Sequence, residues 1–309
     1  PILDPCHMPK LARNALGHLG SFWDKDNNII RWRFCSSLNK IQESEGFQLA
    51  NKFTSKHLMF QKHKMNVKLA AQTVSSSVAD AIEFLDSSMR LDQFQGSTGT
   101  VKFIRTIDRL FDMLNSRNPM AKGFKQPRRK ESEDIWKEVF INPANYLLTL
   151  RTNDSQLLLT HGRKTFVIGF VTTILSTIEM ADEMFTMENP FKYLLGYKFS
   201  QDHIELLFSC IKAKGGWNNN PNCQQFKYAI RKMLLRNAVS ACKNANCEEF
   251  FNDTTTIIPF FHARKHKAPL NEPILADNSQ QESDNPEQEE SMLEENFFCT
   301  QLNTQTTSE

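Results

Sequence analysis

Apolar residues recur at helical spacing along most of the chain. Phe103, Ile107, Leu110 and Leu114 stand three or four apart within Thr100–Ser116, and Val67, Ala70, Val74, Val78, Ile82 and Leu85 do so within Asn66–Ser88. Both patterns predict helices that bury one face. Further helices are expected at Ser36–His63, at Ala144–Thr152 with Pro143 near its start, at Ser200–Ala213 and at Pro221–Val239. Gly215-Gly216 and Asn218-Asn219-Asn220-Pro221 supply the turn between the last two. Arg163–Phe185 is apolar enough for a buried helix. Its uncharged run, Thr165–Ile178, is about fourteen residues, short of the roughly twenty that cross a bilayer, so no membrane span is expected. Arg128–Asp134, dense in charge after Pro127, reads as a loop. From about Ala268 the chain is rich in Glu, Gln, Ser and Asn and reads as a disordered acidic tail. The resulting class is mainly α, without internal repeats.

Composition sharpens this. The 309 residues are 40% hydrophobic and include 24 Phe, which excludes a wholly disordered chain and leaves room for about two domains. The formal net charge of +2 conceals a segregation, since residues 271–309 hold ten acids and no Lys or Arg. Residues 1–270 therefore carry 37 bases against 25 acids, a basic body able to meet phosphates, though solvated lysine-rich helices give the same count. Seven cysteines, an odd number thinly spread, suit reduced thiols better than a disulfide framework. Pro1 stands where Met is expected and no secretory signal follows, so the chain reads as an internal or truncated piece.

The chemistry-bearing motifs are short. Gly96-Ser97-Thr98-Gly99-Thr100 lacks the lysine of a phosphate loop, and Gly162-Arg163-Lys164-Thr165 lacks its first glycine, which excludes that device. In Phe111-Asp112-Met113-Leu114-Asn115, Asp112 and Asn115 share a helical face: a carboxylate accepts from guanine N1–H and its amine, an amide donates to O6 or N7, and Phe111 can stack. The plainer reading is a core phenylalanine beside solvated polar groups. Asp4-Pro5-Cys6-His7, followed by Lys10, Arg13 and Asn14, puts a carboxylate at a helix start, as a metal ligand or as a simple cap. Pro9 brings the helix start nearer Met8. Asp202-His203-Ile204-Glu205 is a second acidic pair on one helical face, and two-metal phosphoryl transfer draws on such carboxylates. Cys242, Cys247, His262 and His266 approximate a zinc spacing, against which stands a reading of buried thiols and a basic segment.

In this order the motifs resemble the P element transposase family, including the THAP-domain proteins derived from it. The resemblance rests on Asp4-Pro5-Cys6-His7 with Lys10, Arg13 and Asn14, on Val67-Lys68-Leu69-Ala70-Ala71-Gln72-Thr73-Val74-Ser75-Ser76-Ser77-Val78-Ala79, and on Ile107-Asp108-Arg109-Leu110-Phe111-Asp112 through Arg117. It continues in Tyr197 through Phe208 and Gly215-Gly216-Trp217 through Phe226. It implies an α/β RNase H-like catalytic domain interrupted by a helical GTP-binding insertion. On this basis residues 1–19 would end the first catalytic segment, 20–190 form the insertion, and 191–239 return to the catalytic domain. Residues 240–267 form a basic Cys/His segment and 268–309 the tail. The zinc-coordinating DNA-binding domain, the coiled coil and the first catalytic aspartate would lie before Pro1.

Carried over by position, the resemblance implies Asp4 and Glu205 as catalytic Mg2+ ligands, and Phe111, Asp112 and Asn115 as guanine readers. Asp202 would sit between nucleotide and catalytic centre, and Ser77 in the pocket. It further implies transposon-end DNA as partner, a homo-oligomer for the full-length protein and a nuclear location. The expected function is a piece of a GTP-dependent, metal-assisted DNA transposase, probed against two alternatives: a domesticated relative that binds GTP, DNA or protein without catalysis, and a helical interaction scaffold.

Overall fold

The fold is described from a computed structural model over residues 1–236. The Cys242, Cys247, His262 and His266 set and the acidic tail lie outside the described residues. Among the described residues the chain divides into two compact units, Pro1–Glu205 and one beginning at Leu206.

The first unit opens with α1 (His7–Leu19). Pro9 is its third residue, within the first turn, where a helical N–H has no partner inside the helix. The helix therefore starts ahead of Met8. A hairpin follows, β1 (Ser21–Trp23) paired antiparallel with β2 (Ile29–Arg31) in the register Phe22↔Ile30. The fully buried Asp24 carboxylate closes it, accepting from the amides of Asp26 and Asn28 at 2.9 and 2.8 Å, while Asn27 takes φ 58°. Strands of three residues are too short to leave a period in the sequence, and the hairpin was not expected.

Helical boundaries moved wherever a side chain or a glycine offered the backbone another partner. The helix expected over Ser36–His63 is two, α2 (Arg33–Glu45) and α3 (Ser55–Leu58), because Gly46 takes φ +71° and ends the first in a left-handed cap. The helix expected over Asn66–Ser88 breaks into α4 (Val67–Thr73) and α5 (Ser76–Glu83), with a π turn at Phe84–Ser88. The Asn66 side chain caps α4 through Leu69 N–H at 2.9 Å. At the break, Asp108 Oδ2 accepts the Ser76 N–H at 2.9 Å and also its hydroxyl. The apolar stripe spans the break because Val74 and Val78 are both buried.

α6 (Thr98–Leu114) falls as expected. α7 (Glu133–Leu148) starts well before the expected Ala144 and runs through Pro143, so most of the segment from 128 to 134 precedes it as an extended stretch and a 3-10 turn. Glu133 and Asp134 favour this start, opposing the positive end of the helix dipole. α8 (Thr165–Thr186) has 22 residues with mean hydropathy 1.3, long and apolar enough to cross a membrane, which the shorter uncharged run had not suggested. Here it packs into the protein, with Phe166, Val167, Phe170, Ile174 and Ala181 buried. Phe103 joins three elements, edge-on to Phe22 of the hairpin at 5.0 Å and to Phe166 of α8 at 6.3 Å between ring centres. α9 (Asp202–Lys214) begins at the end of this unit.

In the second unit the remainder of α9 and α10 (Cys223–Arg236) pack through Cys210, Ile211, Ala229 and Met233. The expected turn between them has Gly216 and Trp217 at φ 68° and 64°.

Candidate active site

Two helix starts meet. Asp4 precedes α1, its main-chain oxygen accepting the His7 N–H at 3.2 Å and its Oδ1 accepting the Cys6 N–H at 2.9 Å. Glu205 lies in the first turn of α9. His7 Nε2 stands between them, 3.3 Å from Glu205 Oε1 and 3.7 Å from Asp4 Oδ2. The three donor atoms all lie within 4.8 Å of one another, although Asp4 and Glu205 are some two hundred residues apart in sequence.

Asp4 is 4% exposed and its Oδ2 has no hydrogen-bond partner. Burial pushes its carboxyl above the ordinary value, against the pull of His7 and the Cys6 and Gln201 amides, and the charge of Asp202 adds to the rise. A buried carboxylate oxygen without a donor costs free energy that a cation can recover. The donor chemistry also fits, since adjacent ligands about 2.1 Å from one octahedral cation stand about 3 Å apart. Two carboxylate oxygens and an imidazole nitrogen therefore suit a divalent metal.

Behind this cluster, Cys6 is buried and its thiol bonds the Asp202 carboxylate; burial, then the charges of Asp202 and Asp4, push the thiol up. Asp202 is itself buried, and Arg117 donates to its Oδ2 at 2.9 Å. The same guanidinium donates through Nε to Asn115 Oδ1 at 3.2 Å. Asn115 is the C-terminal cap residue of α6. A polar chain of Asn115, Arg117, Asp202 and Cys6 thus joins the end of α6 to Asp4.

Asp112, one turn earlier on α6, is half-buried, with Lys125 Nζ 3.5 Å from Oδ1. Burial raises its carboxyl; Lys125 opposes the rise and Asp108 adds to it. Phe111 is half-buried rather than core. Ser77 is exposed at the start of α5, its hydroxyl 3.0 Å from that of Ser75. The adjoining loop packs closely on the end of α6: a Cβ at Gly196 would meet Leu114 O at 2.3 Å, and Gly196 N–H donates to Ser116 Oγ at 3.0 Å.

The structure thus brings Asp4, Glu205 and Asp202 together and links them to Asn115. Asp112 and Ser77 lie on neighbouring helices, α6 and α5. Sequence reasoning passed over His7 and Arg117. His7 stood inside the quoted Asp4 motif, three residues from the carboxylate, and that spacing was its signal; Arg117 gave none, because its two partners meet only in the fold.

Residues 6–127 match the family model described as TNP-like, GTP-binding insertion domain, and residues 197–231 match the TNP-like, RNase H C-terminal domain. DNA transposase THAP9 of Homo sapiens is 33% identical over 236 residues, covering 75% of this chain and 26% of that protein. The chain is homologous to the P element-type transposases. Transposable element P transposase of Drosophila melanogaster is 26% identical over 250 residues, covering 79% of this homologue and 31% of the fly protein. The transposase homologue therefore spans about a quarter to a third of the length of these curated relatives. It shares the fold of the Drosophila P element transposase strand transfer complex, with a TM-score of 0.61 at 22% identity over 76% of this chain and 51% of that one.

Proposed function

We propose that this transposase homologue is the nucleotide-binding and metal-holding part of a GTP-dependent DNA transposase, with Asp4 and Glu205 at the centre of DNA strand cleavage and transfer. The observation that carries the reading is the convergence of these two carboxylates around His7, with Asp4 Oδ2 buried and unpartnered. Divalent ions held there by Asp4 and Glu205 would supply activation of the attacking hydroxyl and stabilisation of the leaving oxygen. The chain's own contribution is positional. The Cys6 N–H fixes one Asp4 oxygen and leaves the other facing the site. Glu205, more exposed, borders the side from which a phosphodiester would enter. The basic body favours the approach of transposon-end DNA, a substrate that implies a nuclear site of action and, in the full-length protein, an oligomer able to hold two ends. In a protein carrying this chain within the length of its relatives, Asp4→Asn or Glu205→Gln should abolish strand cleavage and leave DNA affinity within about twofold, because phosphate contacts rather than metal ligands hold the duplex. Cleavage at the wild-type rate by either variant would remove that residue from the reaction.

GTP is read at the end of α6. Asp112 accepts from guanine N1–H and the exocyclic amine once Lys125 yields, Asn115 serves the other edge, Phe111 offers a face, Ser77 borders the pocket, and Asp202 lies between the nucleotide and the catalytic centre. Adenine offers no matching donors, so calorimetry should give tighter binding of GTP than of ATP, with Asp112→Ala costing about 1–3 kcal/mol of GTP binding. Equal binding of the two nucleotides by the wild-type chain refutes guanine reading.

A further inference from the structure

We propose that His7 is a nitrogen ligand of the cation held by Asp4 and Glu205, and that it turns this site toward divalent ions that accept imidazole, Mn2+ in preference to Mg2+. The inference rests on the metal reading of the two carboxylates and adds a donor and a selectivity to it.

The position of His7 is fixed by the fold. As the first residue of α1 its amide is tied to the Asp4 main-chain oxygen at 3.2 Å, so imidazole and carboxylate are carried by one turn. Nε2 faces both acids, at 3.3 and 3.7 Å, close to the spacing of adjacent ligands around one ion. The His7 side chain is 17% exposed and Glu205 37%, against 1% for Asp4. The donors therefore grade from a closed end at Asp4 to an open end at Glu205, which leaves positions for water or substrate. Asp4 Oδ2 is the second observation pointing to a ligand, a buried acceptor aimed into the cluster without a donor of its own. A neutral imidazole adds affinity for later first-row ions more than for Mg2+, which favours all-oxygen surroundings. The site departs from an all-carboxylate arrangement at that one donor.

The alternative is that His7 only hydrogen-bonds the two acids. Pulsed electron paramagnetic resonance of Mn2+ on the 309-residue chain separates the two roles. With histidine selectively labelled in 15N, a metal-bound imidazole replaces 14N couplings by 15N couplings. His7→Gln should abolish the nitrogen coupling and weaken Mn2+ about tenfold or more by calorimetry, while Mg2+ weakens less than about threefold. Mn2+ bound without histidine coupling, or coupling that survives in His7→Gln, overturns the inference and leaves the carboxylate site standing. A wild-type chain that binds no Mn2+ removes the metal reading of Asp4 and Glu205 as well. The wild-type spectrum needs no variant to fold, and circular dichroism checks that His7→Gln retains its helices.

Discussion

Asp4 and Asp112 carry the same carboxylate in opposite surroundings. Asp4 is buried ahead of α1, with one oxygen on the Cys6 N–H and the other without a partner. Asp112, near the end of α6, keeps 26% of its side chain exposed, and its lysine partner is itself 65% exposed. The first site is set by folding and its unfilled oxygen is a standing cost. The second can exchange a solvated lysine for a ligand at little expense, since an exposed ion pair contributes at most about 1 kcal/mol. Under the proposed function, rigid chemistry and adjustable recognition would thus sit at two helix ends, joined through Asn115, Arg117, Asp202 and Cys6.

The strongest way to break this contrast is at the junction. Gly196→Ala drives a Cβ against the Leu114 carbonyl, which is backbone and cannot rotate away. Overpacking of this kind costs about 1–3 kcal/mol, measurable as a lower urea midpoint with unchanged slope. It should disturb GTP binding along with stability, because the α6 end itself must move. Unchanged stability would mean that the loop is free to shift and the two ends are less firmly joined than the contact implies.

Arg117→Ala tests the link itself. It leaves the buried Asp202 carboxylate short of one donor, a loss of about 1–2 kcal/mol in unfolding free energy. In a double-mutant cycle with Asn115→Ala the effects should be non-additive, since both remove the same bond. Strict additivity would make Arg117 a support for Asp202 alone.

The smallest effect sharpens the Asp112 side. Its carboxyl is raised by burial, so folding favours the protonated form. The stabilisation is fully present below the unfolded-state value and is lost as pH rises through the raised folded-state value. Without ligand, wild type should therefore lose stability relative to Asp112→Asn as pH climbs from about 3 to neutrality, a trend read from urea midpoints at several pH values. A gap that closes over that range would show Lys125 outweighing burial.

Much of this was legible along the chain. The stripes ending in Leu114 and Phe185 gave α6 and α8 to within two residues at each end, because a strong apolar face persists through local rearrangement. The breaks at Gly46 and Ser75 were not legible, since the apolar period runs on regardless. The first depends on a left-handed glycine, and the second on an aspartate some thirty positions away. The short hairpin was hidden for lack of length.

The candidate site divides in the same way. Sequence by itself singled out the candidate residues, Asp4, Asp112, Asp202 and Glu205, because residue types and short spacings are local properties and their order resembles that of a known family. Tertiary structure alone decided that Asp4 and Glu205 face one another across His7, that Asp4 retains an unpartnered oxygen, and that Arg117 spans the ends of α6 and α9. Burial and long-range pairing are sums over residues distant in the chain, and no local spacing encodes them.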